Sequence, residues 1–217
     1  MFLGGVTRRF PDLRMGFLEG GTAWACQLYA DLIEHWEKRN RTALEYNDPA
    51  NLDHNLMIDL ASEFGPDGMA EMMADRDSAL FAALNTAAST NDGGQPELDD
   101  YAPCEIEREE DIADLFVPNF YFGCEADDRL NATAFNTEVN PMGSRINALF
   151  SSDIGHFDVI HMNRVLPHAW ELVDDGVMDL DDFREFTFAN PARFWTSNNS
   201  DFFAGTNVEA QVAELLK

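Results

Sequence analysis

The sequence predicts an α/β fold with parallel strands, on three observations. Short apolar runs are separated by longer segments of helical periodicity. Their order is strand, helices, strand, helix, strand, helices. No Asn-Gly type of hairpin signal joins two apolar runs. Parallel strands need crossover connections, and the intervening helices supply them. The chain has 217 residues, 45% of them hydrophobic, enough for a substantial core.

Residues 2–10 read as the end of a short helix stopped by Pro11. Arg14 to Leu18 is a brief apolar run closed by Glu19-Gly20-Gly21, the pattern of a buried strand leaving its sheet. A helix follows, with Trp24, Leu28, Tyr29, Leu32, Ile33 and Trp36 on one face and Asp31, Glu34 and Lys38 on the other. Residues 52–85 read as two helices around Gly65-Pro66, the second with Met69, Met72, Met73, Leu80, Phe81 and Leu84 on its apolar side. That methionine-rich side suits ordinary packing better than a binding surface. Residues 86–104 are polar and aperiodic, the composition of a long loop or a disordered insertion.

Glu105 to Phe116 predicts a helix whose acidic start suits its dipole. Asn119 to Cys124 is aromatic and short, a strand signal. Asp127 to Asn136 reads as helical, and Ile146 to Ser151 as a third strand ending in Ser152-Asp153-Ile154-Gly155-His156. Val165, Leu166, Ala169, Trp170 and Val173 mark a helix ending at Gly176. Asp179 and Asp182 resemble a capping pair for a helix through Phe188, and Asn190-Pro191 breaks it and starts another. Val208 to Leu216 is the final helix. Right-handed crossovers place the helices on one side of the sheet. Three strands alone leave long edges and uncovered helix faces, so the expectation is that further strands precede Met1.

Forty acidic residues against fourteen basic ones give a formal charge of −26, and only Lys38 and Lys217 are lysines. Such a field repels phosphate backbones and anionic membranes, so nucleic-acid and membrane partners are excluded. An Asp-rich, Lys-poor surface suits high salt, where self-repulsion is screened. No apolar run approaches the roughly 20 residues that span a bilayer. Cys26, Cys104 and Cys124 have neither disulfide-framework nor CxxC spacing, and the N-terminus lacks the apolar stretch of a signal peptide. A cytoplasmic protein with reduced thiols is expected.

Leu3 to Arg14 (LGGVTRRFPDLR), followed by Phe17-Leu18-Glu19-Gly20-Gly21, resembles a stretch of the amidohydrolase-related family. These are metal-dependent enzymes like aminocarboxymuconate-semialdehyde decarboxylase, which often read GGVFxRFPxLK, then an apolar strand, then HGG or EGG. Ala148 to Phe157 (ALFSSDIGHF) is similar to the family's last barrel strand with its aspartate. Asp182 to Trp195 (DFREFTFANPARFW) is similar to its closing helices. The resemblance implies the C-terminal portion of a (β/α)8 TIM barrel, about units six to eight, with residues of about 45–115 a helical and loop insertion. It further implies hydrolysis or decarboxylation of a small organic acid with a divalent metal, zinc or manganese. The remaining metal ligands, an H-x-H and a further histidine, would come from outside this chain. Alone, such a portion is expected to be inactive, and a homo-oligomer is a further expectation.

In such barrels the chemistry sits at the C-terminal ends of the strands, where Glu19, Glu125 and Asp153 fall. The resemblance implies Asp153 at the metal, as ligand or proton acceptor; the competing role is to cap the next helix. Glu19 stands where many family members have histidine, and could ligate the metal, bond substrate or pair with an arginine. His156 shares the Asp153 loop and is either catalytic or a plain loop residue. Glu125 and Arg129 could face substrate, the arginine through a carboxylate, or simply be solvated. His35, His54, His161 and His168 show no metal-like pairing. The alternative function is a non-catalytic acidic protein of the same fold that binds a partner or loosely holds divalent cations; the chain lacks the D-x-D-x-D-G spacing of a calcium loop.

Overall fold

The elements along the chain are helix α1 (Val6–Arg9), strand β1 (Met15–Phe17), helices α2 (Ala23–Arg39), α3 (His54–Phe64) and α4 (Met69–Ala74), strands β2 (Ser89–Thr90) and β3 (Pro96–Glu97), helix α5 (Glu109–Phe116), strands β4 (Phe120–Cys124) and β5 (Asn147–Phe150), and helices α6 (Val165–Asp174), α7 (Leu180–Arg184), α8 (Asn190–Thr196) and α9 (Glu209–Leu215). This computed structural model describes residues 1–48, 51, 53–75, 89–90 and 96–217, with side chains left aside at 89–90, 96–97 and 124. The expected apolar positions Leu80, Phe81 and Leu84 lie outside the described residues. Two compact units result, residues 1–34 with 103–217, and residues 35–102. Sequence reasoning placed the insertion at about 45–115.

In the first unit β1, β4 and β5 form a parallel sheet in the order β1-β4-β5, so the chain is α/β. Met15 pairs with Phe120 and Phe17 with Phe122; Phe122 in turn pairs with Ala148. Side chains alternate across a strand, so Phe17, Phe120 and Phe122 share one face. There Phe122 meets Phe17 at 5.6 Å, Trp24 at 5.2 Å and Phe116 at 5.9 Å between ring centroids. Tyr29 of α2 stacks on Phe116 at 5.4 Å and is fully buried, with its hydroxyl 2.9 Å from Ser144 Oγ. Each such ring contributes about 1.5–3 kcal/mol by leaving water.

Helices were expected on this side alone. The opposite face, carrying Gly16 and Tyr121, is also covered. Phe194 of α8 lies 5.1 Å from the Tyr121 ring, and a Cβ on Gly16 would come within 3.0 Å of it. Parallel sheets are buried on both faces, and a single helix crossing achieves that here.

The N-terminal turn is tied to the chain entering α5. Arg8 donates from Nε to the Cys104 carbonyl at 2.8 Å and from Nη2 to that of Glu105 at 2.9 Å. The Cys104 thiol donates to the Phe2 carbonyl. At Gly5, φ is 67°, and a Cβ would stand 2.1 Å from the Pro103 carbonyl oxygen, so only glycine fits.

Four boundaries differ from the sequence reading. The helix expected from Glu105 starts at Glu109, because Glu105 has φ 52° and Asp111 draws the N–H groups of Glu107 and Arg108 to its carboxylate. Asp127 to Asn136 contains a 3-10 helix, Arg129–Phe135, started by the Asp128 side chain accepting from Leu130 N–H. Asn190-Pro191 does not break the chain's course: α7 runs through a π-helical stretch, Glu185–Ala189, into α8. The wider π turn makes room for a proline ring and tolerates its missing N–H. The polar segment 86–104 contains a two-rung antiparallel pairing of β2 with β3, and the turn Ala102–Cys104 holds a buried Cys104.

The C-terminal signals read directly. Gly176, with φ 69°, ends α6 in a Schellman motif, Val177 N–H bonding Leu172 O and Gly176 N–H bonding Val173 O. Asp179 caps α7 by accepting from Asp182 N–H at 2.7 Å. Asn190, 3% exposed, donates to the Ala148 carbonyl and fastens α8 to β5.

In the second unit, α3 is capped by Asp53 accepting from Leu56 N–H, and Gly65 follows its end. Leu56, Leu60, Phe64 and Met72 stay exposed there. Among the described residues no helix is long and apolar enough to cross a membrane. Neither Cys26 nor Cys104 forms a disulfide.

Candidate functional site

The strands β1 and β5 run in the same direction, so the residues that follow them emerge at one rim. Glu19 and Asp153 both do so in left-handed backbone, with φ 62° and 49°. For a residue with a Cβ that conformation costs roughly 1–2 kcal/mol, and such strain collects at functional sites. After Asp153 the chain turns tightly: His156 N–H bonds the Asp153 carbonyl at 3.1 Å, and Val159 N–H bonds the His156 carbonyl at 3.2 Å. The turn folds three polar side chains together. His156 Nδ1 lies 2.9 Å from Asp158 Oδ1 and 3.4 Å from Asp153 Oδ2.

One ligand atom from each of Asp153, His156 and Asp158 falls within 4.8 Å of the others. A divalent ion with bonds of about 2.0–2.4 Å can span donors no farther apart than about 4.8 Å. Two carboxylates and an imidazole suit zinc or manganese by donor type. The residues therefore fit the implied metal. Electrostatics points the same way. The hydrogen bond to Asp158, then the charges of Asp153, Asp158 and Glu19, hold the His156 imidazole above its usual pKa. The same hydrogen bond lowers Asp158. Both shifts favour positive charge within the cluster.

Two clefts share these residues. One, of about 480 Å³, is lined by Leu18, Glu19, Glu125, Asp153, His156 and Asp158 among others. The second, of about 320 Å³, adds Asp127, His161 and His168 to Glu125, Asp153 and Asp158. Its apolar floor is Val165 and Ala126, packed with Ala169 and backed by Phe150, Val159 and Phe183. Among the described residues no arginine or lysine lines either cleft.

The structure thus brings Glu19, Glu125, Asp153 and His156 to one place. Asp153 caps no helix; no backbone N–H among the described residues bonds its carboxylate, and the next helical turn starts only at Met162. Glu19 is exposed and forms no ion pair with an arginine among the described residues. Arg129 lies apart, its guanidinium paired with Asp175 beside the end of α6. Sequence reasoning did not name Asp158, and it set His161 and His168 aside as lacking metal-like pairing, whereas both line the second cleft. The D-x-x-H-x-D spacing around Gly155 was the available signal for the first of these.

No family model, no curated protein and no solved structure matches this chain.

Proposed function

We propose that this chain is the part of a metal-dependent, amidohydrolase-related (β/α)8 barrel that carries units six to eight, acting in the cytoplasm on a small organic acid by hydrolysis or decarboxylation. The observation that carries the reading is the Asp153–His156–Asp158 cluster at the C-terminal rim of three parallel strands, where barrel enzymes keep their chemistry. Asp153, His156 and Asp158 would hold zinc or manganese, with Glu19 beside them and further ligands from outside this sequence. Once bound, the metal supplies Lewis acidity toward a carbonyl oxygen or water.

The chain's own groups have separable tasks. Asp153, fixed by its strained backbone, accepts a proton at its free carboxylate oxygen. His156 Nδ1 either carries a proton between the two carboxylates or offers its lone pair as a ligand. Glu125 borders both clefts and faces whatever enters them.

The test is calorimetric titration of zinc and manganese into the wild type, Asp153→Asn and Asp158→Asn. Saturable binding that weakens at least tenfold in both variants, with unchanged circular dichroism, is the expected result. Affinity indifferent to both substitutions would remove the cluster from the site. Turnover is then assayed on the full-length gene product with small carboxylic acids, reading CO2 release against hydrolysis.

One observation favours a second reading, an acidic protein that holds cations without catalysis. Both clefts are rich in carboxylates, and among the described residues no arginine or lysine lines them to receive an acid substrate. Metal binding without turnover in the full-length gene product would select it.

A further inference from the structure

A cleft of opposite character lies at the other end of the sheet, beside the starts of β1, β4 and β5. It has a volume of about 470 Å³, within the usual range for small-ligand sites. Arg14, Pro118, Tyr121, Asn147, Arg193 and Leu216 line it, with hydroxyl residues from the end of α8, and no acidic side chain among the described residues does. In a chain with 40 acidic and 14 basic residues, two arginines lining one cleft run against the composition, even with Arg193 paired to Glu185.

The free donors of this cleft can be counted. Arg14 donates from Nη1 to the carbonyls of Pro11 (2.8 Å) and Leu13 (3.5 Å) and forms no ion pair among the described residues. Arg193 spends Nη1 on Glu185 (2.6 Å) and Asn190 Oδ1 (3.3 Å), leaving its other nitrogens without described partners. The Glu185 carboxylate thus engages Arg193 through one nitrogen. Tyr121 is 5% exposed, its ring is fixed against Phe194, and its hydroxyl has no hydrogen-bond partner among the described residues. Burial pushes the phenol up while Arg14 and Arg193 act against that, so it stays a neutral donor within the field of both cations.

We propose that this cleft binds a small organic carboxylate, its anionic end held by Arg14, Arg193 and the Tyr121 hydroxyl and its apolar body against Pro118, Leu216 and the tyrosine ring. Guanidinium groups present paired N–H donors that match a carboxylate, and such charge-assisted bonds are the strong ones. The apolar walls distinguish an organic acid from a bare inorganic anion. The site shares no residue with the metal cluster and does not depend on that reading.

Benzoate is the probe, titrated calorimetrically into the wild type, Arg14→Gln and Tyr121→Phe in strong salt, with methyl benzoate and inorganic phosphate as comparisons. The expected result is saturable benzoate binding, at least tenfold weaker in Arg14→Gln and several-fold weaker in Tyr121→Phe, with no binding of the ester. Tyr121→Phe keeps the ring against Phe194, so it decides the matter if Arg14→Gln fails to fold. Absent benzoate binding, equal binding of the ester, tighter binding of phosphate, or indifference to Tyr121→Phe would each overturn the proposal.

Discussion

Nδ1 of His156 stands 2.9 Å from Oδ1 of Asp158, and this contact favours the protonated ring. The folded pKa is therefore raised, chiefly by that hydrogen bond and then by the Asp153 charge. The stability this gives is fully present below the unfolded value of about 6.5 and is lost as pH rises through the folded one. NMR titration should place the His156 midpoint above 6.5, and Asp158→Asn should bring it back down. A wild-type midpoint at or below 6.5 would show that the contact does not persist in solution. A metal at the cluster competes with this proton, so its affinity should rise with pH over the same window.

Asp153 adopts φ 49°, a conformation that glycine takes without penalty. Replacing it by glycine removes about 1–2 kcal/mol of strain, offset by about 0.4–1 kcal/mol from the freer unfolded chain. Asp153→Gly should leave the melting temperature unchanged or slightly raised while metal affinity falls at least tenfold. Asp153→Val should lose both. A marked drop in melting temperature for the glycine variant would mean that the carboxylate has a structural task after all.

Asn190 joins α8 to β5 through its amide donating to Ala148 O at 3.0 Å, with its carbonyl accepting from Arg193. Leucine at this buried position fits by volume but leaves the strand carbonyl without that partner. The expected loss is about 1–3 kcal/mol, read from the urea midpoint at constant slope. A change under about 0.3 kcal/mol would show that the bond contributes nothing to folding.

A formal charge of −26 makes self-repulsion a standing cost of the folded state. Raising salt from about 0.15 M to about 1 M shortens the screening length from about 8 Å to about 3 Å. The thermal unfolding midpoint should rise across that range. A flat or falling midpoint would argue against a surface adapted to high salt.

The three parallel strands were legible because RMGFL, NFYFGC and INALFS are short apolar runs, below usual helix length and flanked by turn residues. Gly176 and Asp179 were legible because a helix end and a helix cap each depend on one residue. The course past Pro191 was not, since a π stretch leaves the same apolar periodicity as two separate helices. In the site, the rim positions of Glu19 and Asp153 followed from strand ends. Asp158, His161 and His168 did not, because the tight turn at His156 and the start of α6 bring them in, and neither has a sequence period. The pairing of Arg129 with Asp175 joins residues 46 apart in sequence, beyond any local signal.

The π stretch Glu185–Ala189 acts as a phase setter for everything after it. One extra residue in a turn rotates the following helix by about 100° about its axis relative to an uninterrupted α-helix. That rotation is what aims Asn190 at Ala148 and Phe194 at Tyr121. Loss of a single residue between Arg184 and Asn190 would swing the amide off β5 and the phenylalanine off the sheet together, and would shift Arg193 out of the arginine-lined cleft. The fastening of the last helices and the shape of that cleft are thus governed by one chain-length parameter, which a point substitution cannot tune and a one-residue deletion would reset.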